Sequence, residues 1–125
     1  MSAKNKEIVE KVNASFAEGS AEGFLSCCAD NVTWTIVGTR TVKGKDAIRE
    51  WLSSIDTEPP KFTVDNIIAE GNFVTAYGDM TLKEKDGKTV PYAYCDIYRF
   101  RDGKIVELNS FLINTEAKAE TASAG

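Results

Sequence analysis

Two aspartates, Asp79 and Asp96, lie with the tyrosines Tyr77, Tyr92, Tyr94 and Tyr98 in two extended runs, 75–82 and 89–100. The runs are joined by Lys85-Asp86-Gly87-Lys88, and Asp-Gly between two extended runs is a strong hairpin signal. With Asp86 and Gly87 as a two-residue turn, Lys85 faces Lys88, Tyr77 faces Asp96 and Asp79 faces Tyr94. Side chains alternate between sheet faces. That register predicts one face made of Tyr77, Asp79, Tyr92, Tyr94, Asp96 and Tyr98. The opposite face is small and apolar: Ala76, Gly78, Met80, Ala93, Cys95 and Ile97. Diagonal neighbours on paired strands sit about 7 Å apart. Two carboxyls at that separation can divide the roles of proton donor and acceptor, provided their surroundings push their pKa values apart. Burial against the tyrosine wall would raise the pKa of Asp96.

Composition narrows the remaining chemistry. The chain has 125 residues, a formal net charge of −4 and no histidine. A Ser-His-Asp triad, a Cys-His pair and His-ligated zinc or haem are therefore excluded. No metal site or cofactor is expected, and acid–base work falls to Asp, Glu, Tyr, Lys or Cys. Basic residues are scattered, which leaves no footprint for nucleic acid. No apolar run has the length of a membrane span or a signal segment. Cys27, Cys28 and Cys95 are odd in number, which fits reduced thiols in a cytoplasmic protein.

The elements that must position these residues follow from periodicity. Ile8, Val9, Val12 and Phe16 recur at helical spacing over 4–18, and Gly19 stops the helix. Ser20 can cap a second helix running to about Ala29. Val32, Trp34 and Ile36 alternate along a strand, and Thr41–Lys43 returns beside it. A third helix after Gly44 carries Ile48, Trp51, Leu52 and Ile55 on one stripe, and Pro59-Pro60 ends it. Four extended segments follow at about 61–70, 72–83, 88–101 and 104–114. The pattern predicts one α+β domain over 1–116, with helices on one side of a curved sheet. The Ala-, Glu-, Thr- and Ser-rich tail, 117–125, reads as frayed.

Three stretches carry a family resemblance: Ala29-Asp30-Asn31-Val32-Thr33, Gly44-Lys45-Asp46-Ala47-Ile48 and Tyr98-Arg99-Phe100-Arg101-Asp102-Gly103-Lys104-Ile105. With the element order, they resemble SnoaL-like proteins of the nuclear transport factor 2-like superfamily, which includes ketosteroid isomerase and limonene epoxide hydrolase. The resemblance implies a cone, a curved mixed or antiparallel sheet wrapped around three N-terminal helices (a cystatin-like α+β barrel). It also implies an apolar pocket and a homodimer. Asp96 is similar to the isomerase's oxyanion-donating acid, and Asp79 to the catalytic acid of the hydrolase. Other positions depart from those enzymes. The isomerase base falls near Ile36 and its tyrosine near Val12. The hydrolase arginine falls at Tyr77, and its second acid near Ile113, beside Asn114. Neither catalytic set is complete.

On that fold, Phe16, Trp34, Ile36, Trp51, Tyr77, Tyr94, Tyr98 and Leu112 are expected to line the pocket around Asp79 and Asp96. The indole N–H of a buried Trp34 needs an acceptor, and either acid could supply it. Two functions fit. One is a cofactor-free enzyme of isomerase, lyase or cyclase type acting on an apolar, carbonyl-bearing metabolite. The other is a non-catalytic dimeric domain that binds a small apolar molecule.

Overall fold

The computed structural model describes residues 2–55, 59–84 and 86–116. The expected tail, 117–125, lies outside the described residues. The elements run α1 (Ser2–Ala17), α2 (Glu22–Leu25), β1 (Cys28–Ile36), β2 (Arg40–Lys43) and α3 (Lys45–Ser53). Five strands follow: β3 (Lys61–Phe62), β4 (Asn66–Glu70), β5 (Phe73–Lys83), β6 (Thr89–Arg101) and β7 (Lys104–Asn114). They form one curved sheet in the order β2-β1-β7-β6-β5-β3, with β4 also paired to β5. Only the β1–β7 pairing is parallel; the other described pairings are antiparallel.

The helices cover one face of this sheet because their apolar stripes have nowhere else to go. Val9 and Val12 of α1, Phe24 and Leu25 of α2 and Ile48 of α3 meet Val32, Val74, Tyr98, Phe100, Ile105 and Leu108 in a single core. Two expectations need correction. The second helix stops at Leu25, and Cys28 already begins β1, where it pairs with Ile105 of β7. That parallel partner lies far along the chain, and local periodicity carries no trace of it. The segment 61–70 is two strands, not one. Between them the backbone folds over Gly78, with the Thr63 and Asp65 N–H groups donating to the carbonyls of Asp79 (2.9 Å) and Tyr77 (2.8 Å).

The hairpin register also differs by one residue, and this moves half of the expected site. The Glu84 N–H donates to the Lys88 carbonyl (2.8 Å), and the Gly87 N–H to the Glu84 carbonyl (2.9 Å). Glu84 is thus paired with Lys88, and the loop between them holds three residues. A two-residue type I′ turn needs positive φ at both central positions. Gly87 has φ 88°, but among the described non-glycine residues only Asp102 has a positive φ. The Asp86 side chain instead accepts the Lys88 N–H at 2.9 Å. The other Asp-Gly pair does form the tight turn: Asp102 (φ 51°) and Gly103 (φ 78°) join Arg101 to Lys104. The resulting β5–β6 partners are Ala76 with Asp96, Gly78 with Tyr94, and Met80 with Tyr92. Tyr77 pairs with Cys95 and Asp79 with Ala93. Since directly opposed residues share a face, Asp79 and Tyr77 lie on the opposite side of the sheet from Asp96. The small apolar face divides in the same way: Ala76, Gly78 and Met80 point inward, and Ala93, Cys95 and Ile97 outward.

Candidate functional site

Asp96 sits in the middle of the inner face. Ala76 flanks it on β5 and Ser110 on β7. Ser110 is 5% exposed, a polar residue between the inward Leu108 and Leu112 of β7. The Trp34 indole N–H of β1 donates to the Ser110 hydroxyl oxygen at 2.9 Å. Ser110 is the direct cross-strand partner of Asp96, and its hydroxyl favours the charged form of that carboxyl. A chain of three side chains, Trp34–Ser110–Asp96, therefore spans three neighbouring strands. Trp34 takes a lone pair of the serine oxygen and leaves its proton for the acid.

This arrangement decides the protonation of Asp96. Burial pushes its carboxyl up to about 6, and the Ser110 hydrogen bond partly offsets the rise. The side chain is nonetheless only partly buried, so it is a desolvated acid that still reaches the solvent side of the fold. Near neutral pH such a group takes and releases a proton readily. The second acid expected beside it is absent from this face, because Asp79 is exposed on the outer one.

An aromatic wall stands next to the acid. Trp34 packs against Phe24 (centroids 5.3 Å apart) and Phe16 (6.0 Å), and edge-on against Trp51 (5.1 Å). Phe16, Trp34, Ile36 and Trp51 are all partly buried, and Leu112 is 37% exposed. Phe16, Trp34 and Trp51 are in ring contact, and the strand register turns Ile36 and Leu112 to the same side of the sheet as Trp34 and Asp96.

Tyr94 and Tyr98 face the same way but are occupied differently. The Tyr94 hydroxyl donates to the Thr63 carbonyl at 2.6 Å, and its ring meets Phe62 edge-on. Its hydroxyl is pushed up to about 12, by burial first and then by the carboxylates of Asp96, Asp65 and Asp79. Tyr94 thus ties β6 to the chain crossing over β5. Tyr98 is fully buried in the core. Its hydroxyl finds no partner among the described residues, and burial raises it well above the ordinary tyrosine range.

Cys28, also inward, is pushed up to about 12 by burial and by neighbouring Cys27, so its thiol stays protonated and unreactive. Among the described residues no group of three His, Cys, Asp or Glu side chains is placed to hold a metal ion. No described helix is long and apolar enough to cross a membrane.

Ser110 and Arg40 did not stand out in the sequence. Ser110 had one legible signal, a hydroxyl inside the alternation Leu108, Ser110, Leu112. Arg40, on β2, lies opposite Ile36, and its guanidinium sits 5.7 Å from the centre of the Trp51 ring. Only the strand pairing reveals that it shares the acid's face.

The fold and this inner face define a known class. The SnoaL-like domain model matches residues 9–108, and the chain belongs to that family. Its nuclear transport factor 2-like fold recurs in solved structures. A nuclear transport factor 2-like protein of unknown function from Cytophaga hutchinsonii is 27% identical, over 86% of this chain and 98% of its own, with a TM-score of 0.73. TerC, co-crystallised with polyporic acid, is 22% identical over 94% of this chain and 96% of its own, with a TM-score of 0.78. An epoxide hydrolase of the limonene-hydrolase-like type from M. tuberculosis is 15% identical over 89% and 84%, with a TM-score of 0.78. The last two share the fold alone. No curated protein matches the sequence.

Proposed function

We propose that the inner face is a cofactor-free site for a mostly apolar, carbonyl-bearing small molecule, in which protonated Asp96 donates a hydrogen bond to the carbonyl oxygen. The observation that carries this reading is the Trp34–Ser110–Asp96 chain beside the aromatic wall. A neutral, desolvated acid is a strong donor to an oxygen gaining negative charge. With no second carboxyl on this face, the α-proton would leave to solvent water while the Asp96 hydrogen bond holds the enol oxygen, and the reaction class this suits is isomerisation, dehydration or cyclisation through an enol.

A test uses 2-acetylnaphthalene as the probe. Binding, read by quenching of Trp34 and Trp51 fluorescence, weakens as pH rises through about 6. Asp96→Leu abolishes the pH dependence and most of the affinity. Turnover is read by exchange of the probe's methyl protons in D2O. Wild type accelerates it, and Asp96→Asn does not. Binding that ignores Asp96 would sink the proposal.

A second reading, a non-catalytic binding domain, is favoured by one observation: Asp79 faces away, so the two-acid division of labour is lost. In that case the probe binds with the same pH dependence and its methyl protons do not exchange. Under both readings we propose a homodimer in the reduced cytoplasm. The free thiols of Cys27, Cys28 and Cys95 support the compartment. The exposed outer residues Tyr77, Phe111 and Ile113 support the pairing.

A further inference from the structure

The strand register places Arg40 and Asp96 in one line across the inner face. Arg40 is paired with Ile36, Ile36 with Ser110, and Ser110 with Asp96. Residues opposed in this way point to the same side, and Trp34, two residues from Ile36, shows which side by reaching Ser110. The guanidinium marks the β2 edge of the row, and the acid marks its middle. Three strand spacings separate their backbones, about 14 Å. The long arginine side chain takes up part of that distance. Trp51 and Trp34 lie along the gap, with Arg40 over Trp51, Trp51 edge-on to Trp34, and Trp34 bonded to Ser110. Arg40 is exposed and forms no ion pair among the described residues. It is a permanent cation whose donor fork is unspent among the described residues.

We infer that Arg40 is a specificity-determining residue, and that the ligand is a flat, bipolar molecule with a carbonyl at its inner end and an anionic group, a carboxylate or ionised phenol, at its outer end. The inference deepens the proposed site and rests on that reading of Asp96. A neutral acid at one end and a fixed cation at the other also orient the molecule. An anion directed at Asp96 would meet an acid that ionises near neutral pH, whereas at Arg40 it meets a guanidinium that binds carboxylates in a bidentate way. The aromatic edges between the two ends suit a planar, bicyclic scaffold.

The test compares two probes that differ only at the outer end, 2-acetylnaphthalene and 6-acetyl-2-naphthoic acid, by tryptophan quenching at pH 5.5 and low salt. Wild type binds the acid about three- to tenfold more tightly, the scale of one partly exposed charged contact. That preference shrinks as salt is raised. Arg40→Gln removes it, so that this variant binds the acid and the neutral ketone equally, and Arg40→Lys retains part of it. Equal binding of the two probes by wild type overturns the inference and leaves the ketone site standing. A preference that survives in Arg40→Gln also overturns it, by assigning the anion to another cation. Failure of both probes to bind overturns the site itself, and the inference with it.

Discussion

At the residue scale, Asp96 controls how the molecule responds to pH. Its folded pKa, raised to about 6 by burial, lies above the unfolded value near 4. Between those values the folded chain keeps a proton that the unfolded chain has lost. Stability from this site is therefore complete below pH 4 and falls as pH rises through 6, by about 3 kcal/mol in all. Asp96→Asn keeps the shape and removes the titration. The variant should be as stable as wild type at pH 4 and more stable at pH 7, by up to about 3 kcal/mol. Urea melts at the two pH values measure this, and a variant clearly weaker at pH 7 would mean the acid is ionised and well paired. Ser110 acts in the opposite direction, since its hydroxyl favours the carboxylate. Ser110→Ala should push the Asp96 midpoint higher still, read by carbon-detected NMR. The same titration should appear in the Trp34 indole N–H resonance of wild type and vanish from it in Ser110→Ala. Independent motion of the two signals in wild type would show that the chain of hydrogen bonds does not form in solution.

At the scale of elements, the two Asp-Gly pairs show what a sequence conveys and what it does not. Asp102-Gly103 forms the two-residue turn that its residue types favour. Asp86-Gly87 has the same residues but lies in a three-residue loop, where Gly87 takes the left-handed region and Asp86 does not. The choice lies in the pairing of whole strands. The observed register sends Tyr94 and Tyr98 inward opposite Gly78 and Val74, with Asp96 opposite Ala76. The one-residue alternative would have turned Tyr77 and Asp79 inward on β5 instead. The element order, the helical stripes and the inward Trp34, Phe16 and Asp96 were legible, because each is a local periodicity. Ser110 and Arg40 were not, because they join the site through the parallel β1–β7 pairing and the β2 edge. Gly78 was read as a small apolar residue, yet its role is steric. A Cβ there would overlap the Thr63 carbonyl oxygen, which must come close enough to accept the Tyr94 hydroxyl. Gly78→Ala should force the 63–65 crossing off the sheet and destabilise the chain by about 2 kcal/mol or more. Tyr94→Phe, which only removes the hydroxyl, should cost about 1–2 kcal/mol. Thermal melts rank the two, and a neutral Gly78→Ala would contradict the close approach.

At the scale of the whole molecule, the same register that emptied one half of the expected site furnished the other face of the sheet. Tyr77, Cys95 and Phe111 form one outward row, and Asp79, Ala93 and Ile113 the next. Ile113 is 65% exposed, Ile68 54%, Phe73 49%, Phe111 39% and Tyr77 38%. Large apolar side chains gathered on one sheet face call for a cover, and a second copy brings an identical, self-complementary surface. Wild type is therefore expected to sediment at twice 13.7 kDa. The double variant Phe111→Lys, Ile113→Lys places a cation on each of the two rows, and an isologous pair would carry each of them twice, four like charges in one interface. It should sediment as a monomer at concentrations near 100 µM, where wild type is expected to pair. Asp96 and the proposed ligand site lie on the helix side of the sheet, opposite this face, so pairing and titration are separable. The monomeric variant should keep the Asp96 midpoint and the Trp34–Ser110 hydrogen bond. A wild type that is monomeric at that concentration, or a double variant that still pairs, would show that the outer face is not the interface. A midpoint that shifts on dissociation would instead mean that the second copy reaches through the sheet to the site, which strands packed side by side over Asp96 do not permit.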